Sequence, residues 1–298
     1  MEVDDVFTPT VLSHEEWMDR ARAHEARAAA FTDDHLRRRQ AHIKHPVFDF
    51  LFEYYPVRPA TLRTWHPGLG VGVPADAPHA SWRDYTLVDD SLVTVDLACF
   101  MPRRGAAVRY IHNLLQSVSG NPAHFDCFGL HEWAMVYKAG PDEIRHDLPL
   151  RLGHAATDAV VESHQLKCTH FDAFRFFTEP AIPLNLTVLT REAQPANDQC
   201  GCLHATMDLY KWAAKLGPLV PGEVLLDAFE LARDTRVLDM EASPYDCRGY
   251  GFGVVAIETP EGKAEYVARQ RALAARAKPI RDRLVSITEQ ALTATLSQ

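Results

Sequence analysis

The sequence predicts a mainly α-helical fold, a single compact helical domain with a few short strands. Three observations carry that expectation. Residues 13–41, "SHEEWMDRARAHEARAAAFTDDHLRRRQA", open on a capping box, with Ser13 three residues before Glu16, and run on in Ala-, Arg- and Glu-rich sequence. Further segments of helical period follow at 105–118, 129–138, 155–163, 203–216 and 222–235. The 298-residue chain is 47% hydrophobic and 24% charged, enough apolar side chain for a substantial core, and no repeat, low-complexity tract or linker divides it.

The elements between these helices follow from local composition. "HPVFDFLFEYY" (45–55) is aromatic nearly all round, which predicts a second, buried helix. Residues 56–91 are rich in Pro, Gly and Asp and read as an irregular excursion with short turns. "SLVTVDLACF" (91–100) suits a strand or a helix, because periodicity does not separate the two in so short a run. "GFGVVAIET" (251–259) has strand-like composition, and the sequence after it predicts one or two closing helices broken near Pro279.

Charge and cysteine content narrow the function classes. Forty acidic against 31 basic side chains give a net charge of −9, which repels phosphate backbones unless Lys and Arg are segregated on one face. The acidic start "MEVDDVF" is no secretory leader, and no apolar run approaches the roughly 18 residues of a membrane span. The expectation is a cytoplasmic chain with reduced thiols and no membrane partner. Cys200 and Cys202, one residue apart, are too close for an ordinary disulfide or a zinc ribbon.

Histidine is the informative excess, with 15 in the chain, many beside carboxylates in apolar segments. "GLHEWAMVY" supplies His131 and Glu132. "LGHAATDAVVESHQLKCTHFDAFRFF" supplies His154, Asp158, Glu162, His164, His170 and Asp172. "GCLHATMDLYKW" adds His204, Asp208, Lys211 and Trp212, while "KHPVFDF" brings His45 and Asp49 and "SPYDCRGYGF" brings Tyr245 and Asp246. His45/Asp49, His154/Asp158 and His204/Asp208 are spaced i, i+4, so each pair shares a helix face and can aim an imidazole and a carboxylate at one cation. A single such pair is commonly a local hydrogen bond. Several together, buried among aromatics, cost more than structure alone needs and mark a working site.

Other chemistry is excluded by the absence of its motif. No nucleophile elbow, Walker loop or Rossmann fingerprint is present, and His131-Glu132 lacks the second histidine of a zincin because Met135 stands there. Lys211 is a Schiff-base amine if unpaired, and a plain ion-pair partner if it meets Asp208 at i+3. "WHPGLGVG" (65–72) resembles the hairpin of helix–hairpin–helix DNA glycosylases, but Pro74 and Pro78 oppose the helix that must follow it, and "LVDDS" around Asp89 and Asp90 reads as a turn.

Taken together, "HPVFDFLFEYY", "RPATLRTWHPG", "CFGLHEWAMVY", "CTHFDAFRFF", "GCLHATMDLYKW" and "EASPYD" resemble a family of actinobacterial proteins of about this length labelled 3-methyladenine DNA glycosylase. The resemblance spans a 45–275 core within one 1–298 domain, leaving a 1–44 N-terminal helical arm and a 276–298 C-terminal helix. It implies hydrolysis of an N-glycosidic bond without metal. A flipped base would stack on Phe171, Phe174 or Trp212, with Asp172 or Asp208 as the carboxylate and DNA as partner.

The residues themselves favour a different function, a metal-dependent enzyme acting on a small organic molecule. Iron or zinc is expected on a subset of His131, His164, His170, His204 and Asp208. Glu132, Asp172 and Asp208 are the expected catalytic or ligand-orienting carboxylates, and Arg175, Tyr245, Lys211 and Trp212 the expected substrate contacts. Open coordination positions suit hydrolysis with zinc or oxygenase chemistry with iron.

Overall fold

A computed structural model describes residues 9–55, 57–140, 143–144 and 146–296. The ends of the expected arm and closing helix, 1–8 and 297–298, lie outside the described residues. The fold is mainly α-helical with one small sheet, as the sequence predicts. Strand β1 (Thr10–Val11) precedes helix α1 (His14–Gln40), where the capping box forms in full: Glu16 N donates to Ser13 Oγ (3.2 Å) and Ser13 N to Glu16 Oε2 (2.7 Å). Acidic residues in the first turn and Arg37–Arg39 in the last complement the helix dipole.

The 45–55 segment corrects the expected second helix, since only α2 (Phe50–Glu53) is helical. His45 Nδ1 accepts from the Val47 and Phe48 amides and Asp49 accepts from the His45 amide, a cap on the turns of 46–49 that become helical only at Phe50. The stretch expected to be irregular holds α3 (Pro59–Arg63), β2 (Val71–Pro74) and β3 (Tyr85–Val88). β4 (Leu92–Val95) pairs antiparallel with β3 and β2, and β1 joins β2 in parallel, giving the order β1-β2-β4-β3. Asp89 and Asp90 form the turn between β3 and β4, both at positive φ. "WHPGLGVG" leads into β2 and not into a helix.

"SLVTVDLACF" is both strand and helix. It ends β4, and Asp96 then caps α4 (Leu97–Gly120) by accepting from Cys99 N at 2.9 Å. Five shorter or mid-length helices follow: α5 (Leu130–Ala134), α6 (His154–Glu162), α7 (Phe171–Phe174), α8 (Gln194–Asn197) and α9 (Leu203–Leu216). α10 (Gly222–Glu241) runs six residues past the expected end, and α11 (Pro260–Leu296) continues through Pro279, correcting the expected break. Residues 251–259 form no strand; 252–256 are irregular and 257–259 turn into α11. Val255 N donates to Glu241 O at the end of α10, and a helix end offers no ladder to pair with.

α9 packs along α10, with α11 and α4 across them, around a core in which Met207, Tyr210, Ala228 and Leu238 are fully buried. Each large apolar side chain enclosed there contributes about 1.5–3 kcal/mol. Tyr210 wedges between Tyr55 (centroids 5.6 Å) and Phe229 (5.0 Å), tying α2 to the α9–α10 pair. Gly222 has no room for a side chain, since a Cβ would lie 2.6 Å from Trp65 Cδ1. Among the described residues no helix is long and apolar enough to cross a membrane.

Candidate functional site

Four short segments bring polar side chains to the buried end of the α9–α10 pair. Gly129, at φ +69°, turns the chain into α5, and Trp133 Nε1 donates to Ala242 O (2.8 Å), fixing that short helix against the end of α10. His131 and Glu132 therefore face Asp239 and Arg236, which lie i, i+3 on α10. His131 Nε2 donates to Asp239 Oδ1 (2.8 Å), and Arg236 Nη1 donates to Glu132 (3.0 Å) and Asp239 Oδ2 (2.6 Å). All four are buried. Burial alone would raise the Asp239 pKa, but His131, then Arg236, outweigh it and hold the carboxyl well below its ordinary 3.8.

His204, on α9, completes a first group. His131, His204 and Asp239 are all buried and offer ligand atoms within 4.8 Å of one another. The His204 ring stands edge-on to His131 (centroids 4.4 Å) and stacks on His170 (5.4 Å). Burial, and then neighbouring His131, keep its pKa well below the ordinary 6.5, so the ring is neutral. It has no hydrogen-bond partner among the described residues.

A second group, His170, Asp172 and Asp208, is also buried with ligand atoms within 4.8 Å. Here the chain supplies its own cation. Lys211 Nζ lies 2.7 Å from Asp208 and 3.1 Å from Asp172, and these two carboxylates outweigh burial and raise its pKa. Tyr55 also donates to Asp208 (3.1 Å), and Arg191 to Asp172 (2.9 Å). His170 Nδ1 donates to Asp198 at 3.0 Å while its Nε2 is 3.7 Å from Asp208; Asp198, then Asp208, outweigh burial and raise its pKa.

The three i, i+4 pairs separate accordingly. His204 and Asp208 enter different groups. Asp49 is held by His35 and Arg38 (2.8 and 2.7 Å), and Asp158 accepts from Lys138 N while His154 is exposed. His164, an expected ligand, joins neither group: its Nδ1 meets Val160 O at 2.6 Å. Of the expected ligands, His131 and His204 share one group, and His170 and Asp208 share the other. Lys211 is ion-paired, which removes the Schiff-base role. Trp212 packs under Lys211 and Lys215 and lines neither cavity described below. Arg175 sits at the edge, 41% exposed and 3.5 Å from Asp172.

Glu132, Asp172, His204, Arg236 and Tyr245 line an inner chamber of about 40 Å³. It shares Phe50, Tyr54 and His146 with an outer cavity of about 400 Å³ that Asp49, Glu53 and Tyr250 also line. Sequence reasoning missed Asp239, Arg236 and Asp198. The signal for the first two was present as Arg236-x-x-Asp239, a charged pair at helical spacing in "RVLDM", beyond the point where the expected helix stopped. All six cysteines are free, and none joins either group.

Compared with known proteins, the chain matches no family model, no curated protein and no solved structure. The site is therefore read from its own chemistry.

Proposed function

We propose that the protein is a metal-dependent enzyme acting on a small organic molecule, with one divalent iron or zinc ion on His131, His204 and Asp239. The observation that carries this reading is His204, a buried imidazole that lines the chamber and meets no hydrogen-bond partner among the described residues. Two imidazoles and one carboxylate suit zinc or non-haem iron. The ligand atoms of the three residues lie within 4.8 Å of one another, and an ion held by His131 and Asp239 would replace the hydrogen bond they now share.

The second group is less suited to an ion, because Lys211 already stands between its two carboxylates. Its chemistry fits support of the first. Asp198 fixes the His170 ring, and that ring packs flat against His204.

A bound ion would supply Lewis acidity and could activate water or dioxygen. Glu132 and Asp172 are the chamber's carboxylates, and Lys211 and Arg191 hold Asp172 ionised as a proton acceptor or orienting group. Tyr245, on the same chamber wall, is the proposed substrate contact. Elemental analysis of protein purified without chelators tests the reading. Stoichiometric iron or zinc, with thermal stability lowered by EDTA, is expected; no transition metal and no response to EDTA overturns it.

A further inference from the structure

The guanidinium of Arg236 has one edge unused. Nη1 is spent on Glu132 and Asp239, and Cζ lies over the Phe50 ring, 4.1 Å from its centroid. Nε and Nη2 are buried and meet no acceptor among the described residues. These two nitrogens form the side-on fork of arginine, whose parallel donors match the two oxygens of a carboxylate. Orphaned donors on a permanently charged side chain that is 1% exposed are costly, and a structural role would not leave two of them.

Space and charge point the same way. Arg236 lines the inner chamber of about 40 Å³. A water-sized probe needs roughly 10–15 Å³, so the chamber takes a group of about three heavy atoms. Past Phe50, Tyr54 and His146 the outer cavity has room for the remainder of a molecule. Glu132 and Asp239 against Arg236 leave one negative charge. A divalent ion on His131, His204 and Asp239 reverses that to one positive charge, which a monoanion cancels. Asp172, the other carboxylate lining the chamber, is already matched by Lys211, Arg191 and Arg175.

We propose that the chamber binds the carboxylate of a small organic acid, gripped by Nε and Nη2 of Arg236, with the rest of the acid in the outer cavity. This names the substrate class of the metal-enzyme reading and rests on that reading for its charge balance.

The test is titration of the zinc-loaded full-length protein with propionate, and separately with its neutral isostere propionamide, following the assigned Arg236 Nε–H resonance by NMR. Propionate is expected to move that resonance downfield saturably, and propionamide to leave it in place. Arg236→Lys, which keeps a charge for Glu132 and Asp239 but loses the fork, should weaken propionate binding about tenfold or more. If that variant does not fold, the wild-type titration decides alone. An Arg236 signal indifferent to propionate, or equal binding of both probes, overturns the proposal. Zinc content of the same samples separates the two readings. Bound zinc with a silent Arg236 overturns the carboxylate site alone. A responding Arg236 in protein that retains no zinc supports the carboxylate site and overturns the metal centre.

Discussion

The two buried groups use almost the same side chains and reach opposite electrostatic ends. In His170–Asp172–Asp208 an ammonium from the next turn of α9 stands between the carboxylates, and Tyr55, Arg191 and Asp198 occupy the remaining partners. In His131–His204–Asp239 the carboxylate is held on one side by Arg236, while the His204 ring faces a chamber with no partner. Residue type alone therefore does not make a metal site. What distinguishes the two is where the cation stands: Lys211 sits between both carboxylates of one group, whereas Arg236 is shared between Asp239 and Glu132 and leaves His204 on the chamber wall.

The sharpest way to break this comparison is to remove the Lys211 charge. Lys211→Met leaves Asp172 and Asp208 without their cation and should cost about 3–5 kcal/mol in denaturant unfolding at neutral pH, with metal content unchanged. The penalty should shrink on acidification. Burial opposes the ionised form of Asp172, but Lys211 and then His170 and Arg191 hold its pKa below the ordinary 3.8. Stability from the pairing is present above that value and is lost as pH falls through the folded pKa. A difference between wild type and variant that grows below pH 3.8 contradicts this assignment.

Tyr55→Phe removes one buried donor to Asp208 and should cost about 1.5–3 kcal/mol by the same measurement, again without loss of metal. In the other group the pattern inverts. His204→Gln breaks no hydrogen bond, so metal-free stability should change by about 1 kcal/mol or less. The gain in stability on adding zinc, about 2.7 kcal/mol at a hundredfold excess over Kd, should vanish in that variant. The smallest effect belongs to exposed His154: His154→Ala should change unfolding by no more than about 0.5 kcal/mol and leave metal content unchanged.

The helices were legible because local rules made them. Ser13 with Glu16 marks the start of α1, and the apolar run 203–216 coincides with α9. The 45–55 segment was legible only in part, because its aromatic pattern marks burial while the turns of 46–49 delay the helix to Phe50, a choice hydrophobic pattern does not encode. In the site, His131 and His204 were legible as imidazoles in apolar sequence. Their assignment to a group was not, since His204 and Asp208 share a helix yet face different partners. The Arg236-x-x-Asp239 spacing marks a charged pair on α10, but the contact of Asp239 with His131 spans 108 positions of sequence, and no local pattern announces that.

The measurement that most directly separates the two groups is the iron and zinc content of three proteins purified alike: wild type, His204→Gln and Lys211→Met. About one ion per chain is expected in wild type and in Lys211→Met, with none in His204→Gln. Metal that survives His204→Gln, or is lost only with Lys211, would place the ion in the wrong group and contradict the proposed centre.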